Sequence, residues 1–287
     1  MFVLGLAVGA GPVGPGGLGA QGEASLAVMS FNFRYATAPD GDNSWDHRKG
    51  VFANAIRACA PDVFGAQECL ESQAEFVVQT LPEYHWFGIG RESNGEGEMA
   101  AVFYKKKTLS PIETGNFWLS ETPDVPGSKS WKSACTRMVT WAKFRHLQSG
   151  QLFYFFNTHF DHASEQARQQ AARLLLERIK ALSGDLPVIL TGDFNAAAEE
   201  AVAWKTLGDG GFSDAWLTAE KKVGPDITYG GFKPPVEGKK DRIDWILTRG
   251  PIKVQQCETV LYSENGRYPS DHYPVTACLR LFTEYLK

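Results

Sequence analysis

The sequence predicts a layered α+β or α/β domain in which two sheets pack together and helices cover their outer faces. Three observations predict it. Short apolar runs of strand length recur along most of the chain, and stretches with helical spacing are interspersed among them. No repeat, long linker or composition break interrupts this pattern after the first 24 residues. The 287 residues, 43% hydrophobic and 22% charged, are enough to bury a large core.

The elements follow in order. Leu26 to Phe33 reads as a buried strand that delivers Asn32. Trp45 to Cys59 has helical spacing, with Val51, Ile56 and Cys59 among its apolar positions, and Ala60-Pro61 stops it. Asp62 to Gln67 is a second short buried strand with Glu68 at its end, and Glu71 to Thr80 is a helix closed off before Pro82. Tyr84 to Ile89, Met99 to Tyr104 and Thr108 to Leu119 read as strands. The Pro-, Gly- and Ser-rich segment Ser120 to Lys132 is a loop long enough to suggest a functional role. Cys135 to Arg145 alternates Met138, Thr140, Ala142 and Phe144 with outward partners, as a half-buried strand does, and Ser149-Gly150 turns it into Leu152 to His159 as a hairpin. Ser164 to Leu182 is the clearest helix, with Ala167, Ala171, Leu174, Leu175, Ile179 and Leu182 on one face. Pro187 to Leu190 is a short buried strand leading into Gly192-Asp193-Phe194-Asn195. Ile243 to Thr248, Ile252 to Leu261 and Tyr273 to Leu281 complete the set.

Composition narrows the function. Lys and Arg total 29 against 33 Asp and Glu, and the lysine-rich clusters (Lys105 to Lys107; Lys239, Lys240 and Arg242) are short. Avid nucleic-acid binders carry a positive excess, so a small phosphorylated substrate is favoured over nucleic acid. The five cysteines, Cys59, Cys69, Cys135, Cys257 and Cys278, have no CxxC or Cys/His spacing, which argues against zinc and for buried free thiols. Residues 2–10 resemble the apolar core of a secretory signal and Gly11 to Gly22 a spacer, although no Lys or Arg precedes them. Residues 1–24 are therefore read as a leader, with secreted or periplasmic placement favoured over cytoplasmic, and residues 25–287 as one domain. No later run reaches the roughly 18 uninterrupted apolar residues of a membrane span.

Polar residues recur where the apolar strands begin or end: Asn32, Glu68, His159, Asp193 with Asn195, Asp244, and Asp271 with His272. A single carboxylate at a strand end is more often a turn former or helix cap, and a single histidine a hydrogen-bonded core residue. Together they supply what phosphate-ester hydrolysis requires. Carboxylate and amide oxygens suit Mg2+ or Mn2+, a carboxylate orients and deprotonates water, and imidazoles and amides hold the phosphoryl oxygens. Asp244 is suited to orient His272 and sustain its charged form.

Six segments carry a resemblance: Asn32-x-Arg34, Gln67-Glu68, Asn157-Thr158-His159, Gly192-Asp193-Phe194-Asn195, Arg242-Ile243-Asp244-Trp245-Ile246 and Ser270-Asp271-His272. Their order and spacing over residues 26–282 resemble the endonuclease/exonuclease/phosphatase superfamily of deoxyribonuclease I-like metallo-phosphoesterases, in a bacterial branch. The resemblance implies a four-layered α/β/β/α sandwich with its site at one rim. It implies Glu68 as principal metal ligand, assisted by Asn32 and Asp271, and Asp193 as general base with Asn195 fixing it or the phosphate. It further implies His159 and His272 as phosphoryl-binding or leaving-group residues, with Asp244 paired to His272. More loosely, it implies Glu98 as the carboxylate that orients the first histidine and Arg137 as a phosphate-binding cation, against the plainer readings of an exposed Glu and a surface Arg. His162 and Arg168 are candidates to extend the site, Arg168 equally for capping a helix surface. Trp118 and Trp131 are candidates for a ring-stacking wall, or for core. None of the six segments departs from the pattern, so a non-catalytic phospholigand-binding module is the least favoured reading, and a nuclease is the nearer rival.

Overall fold

The computed structural model describes residues 24–282, so the leader read in residues 1–24 lies outside the described residues except for Ala24. In chain order the strands and helices are β1 (Ala24–Asn32), α1 (Trp45–Cys59), β2 (Val63–Cys69), α2 (Glu71–Thr80), β3 (Tyr84–Phe87), β4 (Met99–Lys105), β5 (Leu109–Trp118), β6 (Met138–His146) and β7 (Leu152–His159). There follow α3 (Glu165–Ser183), β8 (Val188–Asp193), α4 (Val202–Asp209), β9 (Ser213–Asp214), α5 (Ala215–Thr218), β10 (Lys221–Val223), β11 (Asp244–Arg249), β12 (Ile252–Thr259) and β13 (Val275–Leu281). The expected elements are present with ends shifted by a few residues. The short α4, β9, α5 and β10 had no expectation, being too brief to show a hydrophobic period.

Among the described residues the strands form two mixed sheets. One runs β10-β12-β13-β1-β2-β4-β3 and the other β5-β6-β7-β8-β11-β9. Three apolar clusters give the layers. Val28, Val63, Phe144, Phe155, Ile189 and Leu279 meet between the sheets. Phe31, Phe64 and Phe103 face Phe52 and Ile56 of α1 and Ala74 and Val77 of α2 on one outer side. Phe156, Val188 and Leu190 face Ala171, Leu175 and Ile179 of α3 on the other. This is the α/β/β/α sandwich that the sequence implies. Helix α1 ends as expected: Ala60 takes the left-handed conformation and its N–H closes on Ile56 O, and Pro61 cannot continue the helix. Helix α3 starts on Ser164, whose hydroxyl accepts the Ala167 N–H.

Side chains two apart on a strand share a face, and on the inner faces their character changes toward one rim. Going from core to rim, Val28 gives way to Ser30 and Asn32, Val63 to Gly65 and Gln67, Phe155 to Asn157 and His159, and Ile189 to Thr191 and Asp193. The apolar inter-sheet core is thus followed by a buried polar layer and then by the candidate site. Among the described residues, no helix is long and apolar enough to cross a membrane. The expectation of buried free thiols holds for Cys69 and Cys257, whereas Cys278 is exposed.

Candidate active site

Strand register assembles the rim. His159 lies beside Asp193 on the parallel β7–β8 pair, and Asp244 lies beside Asp193 on the antiparallel β8–β11 pair. Asn32 pairs with Gln67 across β1 and β2, one residue before Glu68. Asp271 and His272 precede β13, which runs antiparallel to β1 and so begins at the same end. Three non-glycine residues at these strand ends have positive φ: Arg34 at 53°, Glu68 at 53° and Asn195 at 48°. Glu68 sits in a bulge where β2 and β4 lose register between Ala66 and Cys69. Bulges and left-handed residues re-aim side chains, and such strain concentrates at functional sites.

A cavity of about 710 Å³ opens on this rim, and Glu68, Asp193, Asp271, Asn195, His159 and His272 all line it. At its centre Asp193 Oδ2 accepts from Asn32 Nδ2 at 2.9 Å, and Oδ1 accepts from the Asn195 N–H at 2.9 Å. His159 Nε2 and His272 Nε2 lie 3.5 and 3.8 Å from Asp193 Oδ2. Asp244 Oδ2 accepts from His272 Nδ1 at 2.8 Å. Burial, reinforced by the Asp244 charge, pushes the Asp193 carboxyl up to about 7, against the opposing pull of His272 and of the amides of Asn195 and Asn32. For His272 burial opposes the imidazolium, but the charges of Asp244 and Asp193 outweigh it and hold its pKa well above the usual range. His159 is the opposite case: burial, then the cations of Arg137 and Arg91, hold it well below the usual range and keep it neutral. Its Nε2 accepts from Asn195 Nδ2 at 2.9 Å, and the same amide group also donates to Phe160 O, so it is the nitrogen that faces His159. His159 therefore carries its proton on Nδ1.

Glu68 and Asp271 are carboxylates on the cavity wall that could offer oxygen donors to a divalent cation. Glu68 Oε1 receives Asn32 Nδ2 at 3.2 Å and Oε2 the Tyr35 N–H at 3.3 Å, while Asp271 Oδ2 lies 3.8 Å from Arg34 Nε. Ser270 Oγ also donates to Asp271 Oδ1 at 3.2 Å, and hard carboxylate oxygens beside a cavity with room for water are what Mg2+ or Mn2+ takes. Asp193, Asp244 and His272 also offer ligand atoms within 4.8 Å of one another. That trio is better described as a hydrogen-bonded acid–imidazolium–acid array, because a protonated imidazole has no free lone pair for a metal.

Several expected placements need correction. Asn32 does not turn its oxygen to the cavity: Oδ1 accepts the Arg34 N–H at 2.9 Å, so its amino group is what meets Glu68 and Asp193. An N–H cannot donate to an amino group, so in this arrangement Asn32 ties the two carboxylates together through its nitrogen. Glu98 does not orient His159; both its oxygens accept from Arg91, at 2.8 and 2.9 Å, although it shares the cavity wall. Arg168 is occupied by Glu165 and by Asp161 O, which leaves it as a helix-surface residue. Trp118 is buried against Ala100 and Met138 and donates through Nε1 to Arg91 O at 2.7 Å. Trp131 accepts through its carbonyl from Ser164 at the start of α3. Neither tryptophan is among the residues lining the cavity.

Arg137 and His162 do line the cavity, with Arg137 Nη2 at 3.2 Å from His162 Nδ1. Arg137 is buried, with no hydrogen-bond partner for Nε or Nη1, and the nearest carboxylate oxygen to Nε, on Asp161, lies 3.9 Å away. Other residues at the site, Tyr35 on the cavity wall among them, are not singled out by the sequence. Arg91 and Tyr229 line the cavity, and Tyr229 meets His272 edge-on at 5.0 Å between ring centroids. Fully buried Arg48 donates to Phe33 O, Arg34 O and Pro269 O, fastening together the chain segments that carry Asn32 and Asp271. Arg91 and Tyr229 stand in loops and carry no signal beyond residue type. Arg48 lies within a predicted helix, where an arginine is read as exposed.

Residues 29–272 match the Endonuclease/Exonuclease/phosphatase family. The chain is similar to the crystal structure of an endonuclease/exonuclease/phosphatase from Bacteroides vulgatus, at 35% identity and TM-score 0.85 over 90% of this chain and all of the other. It is also similar to a mannosyl-6-phosphatase of Bacteroides thetaiotaomicron, at 34% identity and TM-score 0.83 over 88% of this chain and 99% of the other. Nocturnin of Drosophila melanogaster is 24% identical over 90% of this chain, which spans only 45% of that protein. The family match along nearly all of the described chain and the shared sandwich lead to one conclusion: this chain belongs to the endonuclease/exonuclease/phosphatase family, whose members are phosphoric ester hydrolases that generally depend on a divalent metal.

Proposed function

We propose that this chain hydrolyses small phosphate esters with Mg2+ or Mn2+, a sugar phosphate being the first candidate substrate and nucleic acid the rival. The observation that carries the reading is Arg137. A buried guanidinium with two unpartnered nitrogens and no carboxylate in hydrogen-bond contact is costly to fold, and a phosphoryl group entering the cavity would neutralise it with charge-assisted bonds. The 34% identity to a mannosyl-6-phosphatase supports a small substrate, as does the net charge of −4.

In this reading Glu68 and Asp271 would hold the cation, which would supply polarisation of the phosphoryl oxygens and charge neutralisation. Asp193, with its pKa near neutrality, aligns the attacking water and takes its proton as the new P–O bond forms. His272, kept cationic by Asp244, faces the phosphoryl group or the leaving oxygen through Nε2. Asn195 fixes the ring of neutral His159 through Nε2 and Asp193 through its backbone N–H, which leaves the Nδ1–H of His159 as the donor for a phosphoryl oxygen. Arg137 and His162 receive the rest of the phosphate.

The test is a panel of mannose 6-phosphate, inositol phosphates, bis(p-nitrophenyl) phosphate and DNA and RNA oligonucleotides, with Mg2+ or Mn2+ and with chelator. The expected result is metal-dependent release of phosphate or alcohol, with the highest kcat/KM on a small substrate. Preference for an oligonucleotide would move the assignment to nuclease, and no metal-dependent hydrolysis of any substrate would overturn it.

A further inference from the structure

Two residues of the recognised segments, Gln67 and Asn157, take no part in the chemistry described so far, and both are fully buried. They lie in the polar layer beneath the cavity, each on a different sheet. Asn157 Nδ2 donates to Ala66 O and to Ala101 O, both at 2.9 Å. Asn157 Oδ1 accepts from Gln67 Nε2 at 2.6 Å and from Thr191 Oγ1 at 3.2 Å. Two carbonyl acceptors on one side fix which end of the amide is nitrogen. One side chain of β7 thus uses both its donors on β2 and β4 of the opposite sheet and takes a third bond from β2.

These bonds gather at the bulge. Ala66 pairs with Ala101 just before the β2–β4 register breaks, and Glu68 stands within the break. On its own sheet Glu68 is therefore held by an interrupted ladder and by a left-handed backbone. On the facing sheet Asn157 lies two residues before His159, and Thr191 two residues before Asp193, on the same strand faces. The close approach also needs Gly65, where a Cβ would fall inside contact distance of Thr191 Oγ1 and Asn157 Oδ1.

We infer that Asn157, together with Gln67, is a positioning pair: its inter-sheet bonds set the place of Glu68, on one sheet, relative to His159 and Asp193, on the other. An apolar contact here would hold the sheets together but leave their sliding unrestrained, whereas directional bonds to both strands of the bulge restrain it. The inference rests on the metal-hydrolase reading in one respect, that Glu68 helps hold the cation.

The test compares Asn157→Leu and the milder Gln67→Met with the wild type, well below the melting temperature of each. Mn2+ affinity is measured by electron paramagnetic resonance without substrate, alongside kcat and KM. For Asn157→Leu the expected result is a native circular dichroism spectrum, a Mn2+ dissociation constant raised about tenfold and kcat lowered about 10- to 100-fold. For Gln67→Met both effects are severalfold. A role confined to stability would lower the melting temperature and leave the folded protein's Mn2+ affinity and kcat at wild-type values, which would overturn the inference. If Asn157→Leu does not fold, Gln67→Met decides between the same outcomes. A wild type that binds Mn2+ but hydrolyses no phosphate ester would refute the proposed function alone, since Mn2+ affinity still tests the positioning.

Discussion

Replacing Asp244 by Asn tests the central array with least change of shape. The carboxylate accepts from His272 Nδ1 at 2.8 Å, and both residues are buried. The amide keeps the volume and removes the negative charge that most favours the imidazolium. A hydrogen bond to a charged group contributes about 1.5–3 kcal/mol. At about 1.4 kcal/mol per tenfold this predicts kcat/KM lower by roughly 10- to 150-fold. The pH profile supplies the sign. In the proposed mechanism His272 acts in its protonated form with a pKa raised well above the ordinary histidine value, so the wild type should keep its activity as pH rises past the range in which an ordinary histidine loses its proton. In Asp244→Asn the desolvation of the buried ring is less opposed, its pKa falls, and activity declines as pH rises through that lowered value. On the acid side the proposed role needs Asp193 as the carboxylate, so activity should be lost as pH falls through about 7, or through a lower value once a bound cation favours its charged form. The assay is kcat/KM on the best phosphate ester from pH 5.5 to 9 at saturating Mn2+. A variant with wild-type turnover and an unchanged alkaline profile would refute the proposed role of the Asp244–His272 pair.

Other substitutions separate the remaining assignments. Arg137→Met should raise KM tenfold or more while leaving thermal stability unchanged or higher, because it replaces a buried guanidinium with two unpartnered nitrogens, its ion pair to Asp161 a long one, by an apolar chain of similar length; steady-state kinetics and calorimetry check both. Glu68→Gln should weaken Mn2+ binding at least tenfold by electron paramagnetic resonance, through loss of a formal charge from the oxygen set. Trp118→Phe should leave KM within twofold and cost about 1 kcal/mol in urea unfolding, the worth of its bond to Arg91 O. Arg168→Ala should leave kcat/KM within twofold, since its bonds go to Glu165 and the Asp161 carbonyl; a larger loss would return it to the substrate site.

Much of the site is legible in the sequence because its residues stand at the ends of apolar strands. Asn32, Glu68, His159 and Asp193 follow runs whose hydrophobicity marks them as buried, and a polar group on such a run is conspicuous. Other positions are less legible. Trp118, Trp131 and Arg168 stand out by residue type near the right segments, and type does not choose between a cavity wall, core or a helix surface. Glu98 sits at the cavity, but a loop arginine seven residues earlier competes for it.

The chain's one-dimensional pattern was enough to determine the α/β/β/α layering, the course of the main strands and the acids and imidazoles that meet at one rim. Periodicity reports local burial, and six ordered segments report a shared ancestry. Only the tertiary structure decided that the Asn32 amino group meets Glu68 and Asp193, that His159 is neutral while His272 is charged, and that two nitrogens of Arg137 have no hydrogen-bond partner. Each of these depends on which groups approach within a few ångströms from distant parts of the chain, and on how little water reaches them. Desolvation and hydrogen-bond direction are properties of that enclosure, and no single stretch of sequence carries them.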